Sequence, residues 1–383
     1  MLLTGLDRCI ADGFARFRGQ RVGLVCNQAS IARDYGHVLD HMLKEGVEVV
    51  AVFGPQHGSW GHTQDNMVEW EGYRDPRTGL PFHSLYGEHR QPTVEMLQEV
   101  ERLIFDVPDV GARYYTFIWT LANCMAAGER DRIPVTVLDR PNPIGSQVEG
   151  PGLQPGFKSF VGLHPLPARH GMTVGEIATY FQSAFYADCE LEVVELSGWD
   201  RAQYLDETDL PWVMTSPNMP TVDTAIVYPG QCLLEGTNLS EGRGTTRPFE
   251  VFGAPWIDEW ELTERLNCLS LRGAHFRPYQ FQPTFQKYAG QICHGAFIHV
   301  TDRRAFHPVA ATIAILLEVW KLWPGHAEWR QPPYEYETEL LPFDILAGND
   351  WLRPAIETDR PFNDIQHRMA SEADQFEVVR LYI

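Results

Sequence analysis

The chain has 383 residues, 44% of them hydrophobic and 12% aromatic, and a formal net charge of −20. This is long for one domain and ample for a large core, so two parts, or one with a long extension, are expected. The charge excludes a broad nucleic-acid or anionic-membrane surface, because phosphate binding needs concentrated Lys and Arg.

Membrane-spanning helices need about 18 or more consecutive apolar residues, and none occurs here. The start, MLLTGLDRCIADGF, reaches Asp7 and Arg8 too early for a signal peptide. Seven cysteines, widely spaced and without a CxxC pair, point to reduced thiols and a cytoplasmic setting.

The first strand is RVGLVCNQ, followed by a helix near Tyr35 to Glu45, the strand VEVVAVFGP and a helix near Thr93 to Glu99. Then come RLIFDVPDV, a helix near Tyr115 to Ala127, PVTVLDRPNP, the helix MTVGEIATYFQSAF and the strand LEVVEL. Strand and helix in alternation predict right-handed crossovers and a parallel sheet covered on both faces, an α/β Rossmann-like N-terminal domain over 1–205. Beyond it, strands near AIVYPG and ICHGAFIHV and a helix from Val309 to Leu322 predict a smaller α+β C-terminal domain over 206–383.

Polar residues collect just after four predicted strands. They are Asn27 and Gln28; Gln56 and His57 within GPQHG; Asp106 and Asp109; and Asp139, Arg140 and Asn142. Ligands of open parallel sheets bind outside the carboxyl ends of the strands, so these groups are expected to meet at one edge. Across from them, CLLEGTNLSEGRGTTRPFE (232–250) is rich in charged, hydroxyl and glycine residues and reads as a site lining.

Several chemistries fall away. No GxGxxG follows the first strand, no Gly-Lys pair marks a phosphate loop, and neither GxSxG nor HExxH occurs. No cofactor is expected. His57, His62 and Asp65 give only a weak metal-binding pattern, a minor alternative to a metal-free site.

Taken in order, FGPQHG, SLYG, FDVPDVGARYYTF, VLDRPNPIG, VEGP, FVGLHPLPARHGMTVGE, SPNMPT, YPGQCLLEGTNLSEGRGTTRPFE, GAPW, PTFQKYAG and IHVTD lie between Phe53 and Asp302, the core of a pattern that extends from about Gly5 to Arg353. This succession resembles the exo-β-N-acetylmuramidases, formerly a domain of unknown function. The resemblance implies a glycosidase with its site between two domains. It would release N-acetylmuramic acid from the non-reducing end of peptidoglycan fragments during cell-wall turnover, with a small saccharide or muropeptide as its partner.

Cleaving a glycosidic bond needs a proton donor and either a nucleophile or an activated water, and the acetamido group of an N-acetylated sugar can itself attack. The family pattern carries Gly-Pro-Glu-His-Gly where this chain has Gln56, and an amide cannot act as a general acid. Three outcomes follow: Gln56 holds the substrate's acetamido group while Asp109, Glu235 or Glu241 protonates, the specificity has shifted to a related amino sugar, or the protein is a non-catalytic amino-sugar binder.

Among replacement acids, Asp109 lies beside Arg113 and Glu241 beside Arg243, which favours their charged forms. Glu235, after the apolar run Cys232–Leu234, is expected to be desolvated with a raised pKa, and is the preferred acid. Arg113, Arg140, Arg243, Arg247 and Lys287 are candidates for the lactyl carboxylate. Tyr114, Asn218, Asn238 and Tyr288 are candidates for polar or stacking contacts, and His57 and His170 for proton transfer. The stretch from Trp60 to Arg90, including TQDNMVEWEG, reads as a loop forming a lid or substrate wall.

Overall fold

A seven-stranded sheet organises the first half of the chain in the computed structural model, which describes residues 1–65 and 67–382. Its strands are β1 (Arg21–Cys26), β2 (Glu48–Gly54), β3 (Tyr73–Arg74), β4 (Pro81–Ser84), β5 (Arg102–Asp106) and β6 (Val135–Leu138). A hairpin of β7 (Glu149–Gly152) and β8 (Pro167–Arg169) intervenes before the last strand, β9 (Leu191–Val194). The order is β3-β4-β2-β1-β5-β6-β9, parallel throughout except for the β3–β4 pair. The Rossmann-like expectation therefore holds.

Strand alternation builds two cores. Val25 of β1 joins Phe105 and Val137 beneath α3 (Phe117–Asp131) and α4 (Val174–Ala184). Its neighbours Leu24 and Cys26 face the other way, onto Leu6 of α1 (Gly5–Ala11) and Leu39 and Met42 of α2 (Val38–Lys44). Helices on both faces are why β1, β5 and β6 read as continuous apolar runs rather than alternating ones.

The remainder holds α5 (Val222–Gln231), a 3₁₀ turn over Cys232–Gly236, β10 (Val251–Ala254), α6 (Glu259–Cys268), β11 (Ala274–Phe281), β12 (Cys293–Val300), α7 (Pro308–Leu322) and α8 (Pro342–Ala347). Strands β10, β12 and β11 form an antiparallel sheet in that order. One hydrophobic cluster runs through both halves, joining Phe105 and Tyr115 to Tyr228, Phe252 and Ile313. No described helix is long and apolar enough to cross a membrane.

Three expectations need correction. AIVYPG is not a strand but the body of α5, capped where the Thr221 side chain accepts the Thr224 N–H. Its β-branched residues suit a strand in isolation, yet Gly230 brings the helix against α7 closely enough to override that preference. The segment near Thr93 to Glu99 is a series of turns, with Leu97 N–H directed at both the Thr93 and Val94 carbonyls. The stretch from Trp60 to Arg90 is not all loop, because β3 and β4 extend the sheet edge there.

Gly230 permits a direct test. A Cβ there would lie 1.9 Å from the Pro308 carbonyl oxygen, a backbone atom at the start of α7. Gly230→Ala is expected to destabilise the fold by about 1–3 kcal/mol or more through forced overpacking. Denaturant unfolding checks this, and an unchanged midpoint would mean that α5 and α7 separate without cost.

Candidate active site

A narrow cleft opens between the sheet edge and the second half of the chain. Gln56 and His57 enter it directly after β2, and Thr116 enters at the start of α3. Opposite stand Glu235 from the 3₁₀ turn, Arg243 from the glycine-rich loop, and Tyr334 and Glu335 from the segment between α7 and α8. A wall closes one side. There the Gln64 carbonyl accepts from Asn218 Nδ2 at 3.0 Å, Asp65 meets Gln286, and Glu69 accepts from the Tyr336 hydroxyl at 2.8 Å. Asn66, within the acidic stretch noted from sequence, lies outside the described residues.

His57 has φ of +70°, a left-handed conformation unusual for a residue with a Cβ. Its Nδ1 lies 2.7 Å from the Thr63 carbonyl oxygen, which can only accept, so Nδ1 carries the hydrogen. Burial, reinforced by the Arg243 charge and opposed by the Thr63 bond, pushes the imidazole down to about 4. The ring is thus neutral at physiological pH, with its proton on Nδ1 and its Nε2 lone pair available.

Glu235 departs from expectation. It is buried, but Arg243 Nη2 donates to Oε1 at 2.7 Å and the Tyr334 hydroxyl donates to Oε2 at 2.7 Å. Burial alone would raise its pKa, yet the charge and hydrogen bond of Arg243, with Tyr334 and Lys287, outweigh it and hold the carboxyl below its ordinary range. The raised pKa predicted from the preceding apolar run is therefore incorrect. The sequence showed the desolvation but not the guanidinium that compensates it.

Arg243 sits between two carboxylates, with Nε 3.4 Å from Glu241. Lys287 extends the chain of alternating charge, donating to Glu241 at 2.9 Å and to the Leu234 and Leu239 carbonyls, each at 2.8 Å. Neither ion pair of Arg243 uses Nη1.

The group with the opposite behaviour is Glu335, for which the sequence reading made no case. Tyr334 and Glu337 exchange backbone hydrogen bonds at 2.9 Å across a tight turn, and both central residues are left-handed, with φ of +46° at Glu335 and +68° at Tyr336. Such a turn ordinarily recruits Gly or Asn. Non-glycine residues held there mark strain of the kind that clusters at functional sites. Glu335 is only 3% exposed. Burial, reinforced by the Glu235 charge and opposed by hydrogen bonds from Tyr86 and Gln56, pushes its carboxyl up to about 7. The segment QPPYEYETE offered one usable signal, an acid bracketed by two tyrosines after a rigid Pro-Pro pair.

The other predicted residues are dispersed. Asn27 and Gln28 hold the 214–215 backbone through the Met214 and Thr215 carbonyls. Asp109 pairs with His170 at 3.0 Å and Arg140 with Asp106 at 2.5 Å, and both Asp109 and Arg140 border a separate cavity. Arg113 is buried among four backbone carbonyls, those of Pro151, Leu166, Leu346 and Ala347. Arg247 pairs with Glu250 on another surface, while Asn238, Lys287 and Tyr288 border an open groove. Tyr114 and Asn218 do line the cleft. The strand ends thus divide between two places, and only those after β2 enter the cleft with Glu235. Among the described residues no group of three or more His, Cys, Asp or Glu is placed to hold a metal ion, His57, His62 and Asp65 included.

A closed cleft that sets a protonatable carboxyl near a fixed carboxylate, with neutral imidazole and guanidinium beside them, has the equipment of a glycosidase. Comparison with known proteins specifies which. The chain matches "Exo-beta-N-acetylmuramidase NamZ, N-terminal" over residues 22–223 and its C-terminal counterpart over 226–382. It belongs to the NamZ exo-β-N-acetylmuramidase family of peptidoglycan-turnover hydrolases. The peptidoglycan β-N-acetylmuramidase NamZ of Bacillus subtilis (strain 168) is 43% identical over 379 residues, spanning 98% of this chain and 89% of that one. A crystal structure of a DUF1343 family protein from Bacteroides fragilis NCTC 9343 superposes with a TM-score of 0.88 at 29% identity, covering 100% of this chain and 99% of that one. A second protein of that family and organism gives 0.75 at 26% identity, with coverage of 98% and 96%.

Proposed function

We propose that this chain releases N-acetylmuramic acid from the non-reducing end of peptidoglycan fragments, with Glu335 as the proton donor. The observation that carries this reading is the Glu335 carboxyl, buried in the cleft and pushed up to about 7 while Glu235 beside it is held ionised by Arg243. Two carboxyls driven apart by their surroundings are how acid and base roles are assigned.

In the first step Glu335 protonates the glycosidic oxygen as the bond from the anomeric carbon breaks. The substrate's acetamido carbonyl oxygen bonds to that carbon from the other face, the substrate-assisted course open to 2-acetamido sugars. The bare Nε2 of His57 accepts the acetamido N–H and so sharpens the attacking oxygen. Water then opens the cyclic intermediate, giving its proton to the Glu335 carboxylate and restoring the acid. The Nη1 edge of Arg243 suits the lactyl carboxylate, which distinguishes N-acetylmuramic acid from N-acetylglucosamine. Gln56 does not remove the acid from this site, because the residue it touches carries the proton instead.

Seven unpaired cysteines, six of them buried, support a reducing, cytoplasmic setting in which imported fragments are the substrate. The two halves divide functionally near residue 205, with the substrate held between them. The test is incubation with β-1,4-linked N-acetylmuramyl-N-acetylglucosamine and with the disaccharide of reversed order. Free N-acetylmuramic acid from the first alone is expected. Tight binding of the first without turnover would instead favour an amino-sugar binding protein.

A further inference from the structure

The Gln56 side chain spends its hydrogen bonds on the protein. Its Oε1 accepts from the Thr116 hydroxyl at 2.6 Å, which turns Nε2 toward the Tyr86 hydroxyl at 3.0 Å and Glu335 Oε1 at 3.2 Å. Tyr86 in turn receives the Met67 N–H at 2.8 Å and donates to Glu335 Oε2 at 2.9 Å. Each oxygen of Glu335 therefore has one fixed donor, and neither donor is charged. Both amide hydrogens of Gln56 are occupied, so the residue is poorly placed to hold a substrate acetamido group, a role that the sequence had left open for it.

The charged and titratable groups around Glu335 come from several elements. Tyr86 follows β4, Glu235 lies in the 3₁₀ turn, Tyr334 and Tyr336 flank it in its own turn, and Arg90 approaches from the segment after Tyr86. Arg90 stacks on Tyr336 with its guanidinium carbon 4.5 Å from the ring centroid. Within this set only Glu235 is a second carboxylate, and Arg243 neutralises it. A carboxylate at position 56 would add another at hydrogen-bond distance from Glu335.

We infer that Gln56 is a positioning residue acting through Glu335: its uncharged amide aims the carboxyl into the cleft and lets it titrate without a second carboxylate alongside. This rests on the reading that Glu335 is the proton donor. The residue that looks like a lost acid is, on this account, part of how a relocated acid is held. Two carboxyls in contact share one proton and titrate as a pair, whereas an amide donor favours the ionised form of its partner.

The experiment is the pH dependence of kcat on the disaccharide for wild type, Gln56→Glu, Gln56→Met and Thr116→Val, with Glu335→Gln as reference. Wild-type kcat is expected to fall as pH rises through neutrality, since the donor must be protonated. In Gln56→Glu the shared proton should move that limb upward by about 1 pH unit or more. Gln56→Met, which removes a donor to the ionised form, should move it upward too and lower the maximal rate about tenfold through lost aim. Thr116→Val, which frees the amide to turn, should follow Gln56→Met to a smaller extent and guards against misfolding of either substitution at position 56. A second readout independent of turnover is infrared titration of the carboxyl stretch that disappears in Glu335→Gln. Its midpoint should move in the same direction. If Glu335→Gln is inactive while every limb and carboxyl midpoint stays at the wild-type pH, Gln56 is merely structural and the inference falls. If Glu335→Gln retains full turnover, the donor assignment itself is overturned.

Discussion

Glu335→Gln should lower kcat on the natural disaccharide by about 10² to 10⁴-fold, the usual contribution of a positioned general acid, with little change in KM. Glutamine fills nearly the same volume, and its single amide oxygen can still accept from one of the two donors, Gln56 or Tyr86, that hold the carboxyl at 3.2 and 2.9 Å, so the cleft should largely keep its shape. It cannot release a proton. The diagnostic comparison is an aryl glycoside whose leaving group departs without protonation. There the loss should be much smaller, because the step that needs the acid has been bypassed. An equal loss on both substrates would assign Glu335 to binding or structure.

The pH dependence has a definite sign. The carboxyl is pushed up to about 7, so the active, protonated form is depleted as pH rises through that value. His57, pushed down to about 4, is already neutral throughout this range and should govern only the acid limb. Activity is therefore expected to be bounded on the alkaline side by Glu335 and on the acid side by His57.

Arg243→Met should be the most destabilising change in the cleft. It removes the guanidinium between Glu235 and Glu241, both buried, and Lys287 on Glu241 with the Tyr334 hydroxyl on Glu235 compensates only in part. Breaking a buried ion pair by removing one partner costs about 3–5 kcal/mol, because the remaining charge stays desolvated. The melting temperature should fall on the order of 10 °C. The loss should also depend on pH. In the wild type Glu235 is held below its ordinary range, so its contribution is present above the unfolded carboxyl pKa and disappears as pH falls through the depressed value. In the variant, burial without Arg243 raises that pKa, and protonation relieves the unpaired charge at mildly acidic pH. The stability difference should accordingly be largest near pH 8 and shrink toward pH 5. A difference that is constant across this range would mean that Arg243 stabilises by packing, as over the Phe249 ring 5.1 Å away, rather than by charge.

The contrast between Glu235 and Glu335 shows how far local reading reaches. Both are buried, and burial by itself pushes both up. What separates them is the partner, Arg243 for one and two uncharged donors for the other. The Arg243 partner was only eight residues from Glu235, yet a loop's path is not periodic and its side-chain directions follow from tertiary packing. The donors to Glu335 lie 279 and 249 residues away along the chain, beyond any spacing argument. Arg113 illustrates the converse error. A cation at a strand end suits a substrate carboxylate, but here it serves as a buried pin for carbonyls of Pro151 and Leu346.

By itself, the sequence determined the parallel sheet, because continuous β-rich apolar runs alternating with helical stretches have few stable arrangements once both faces must be covered. It also determined the family, because its motifs are long and ordered, and it named Gln56, His57, Glu235 and Arg243, which the fold brings to one cleft. Tertiary structure decided that AIVYPG becomes a helix, since its contact with α7 outweighs β propensity. It also decided which buried carboxyl is pushed up and which is held down. Protonation depends on desolvation and on the charges within a few ångströms, and those neighbours are set by how the two halves of the chain close on each other.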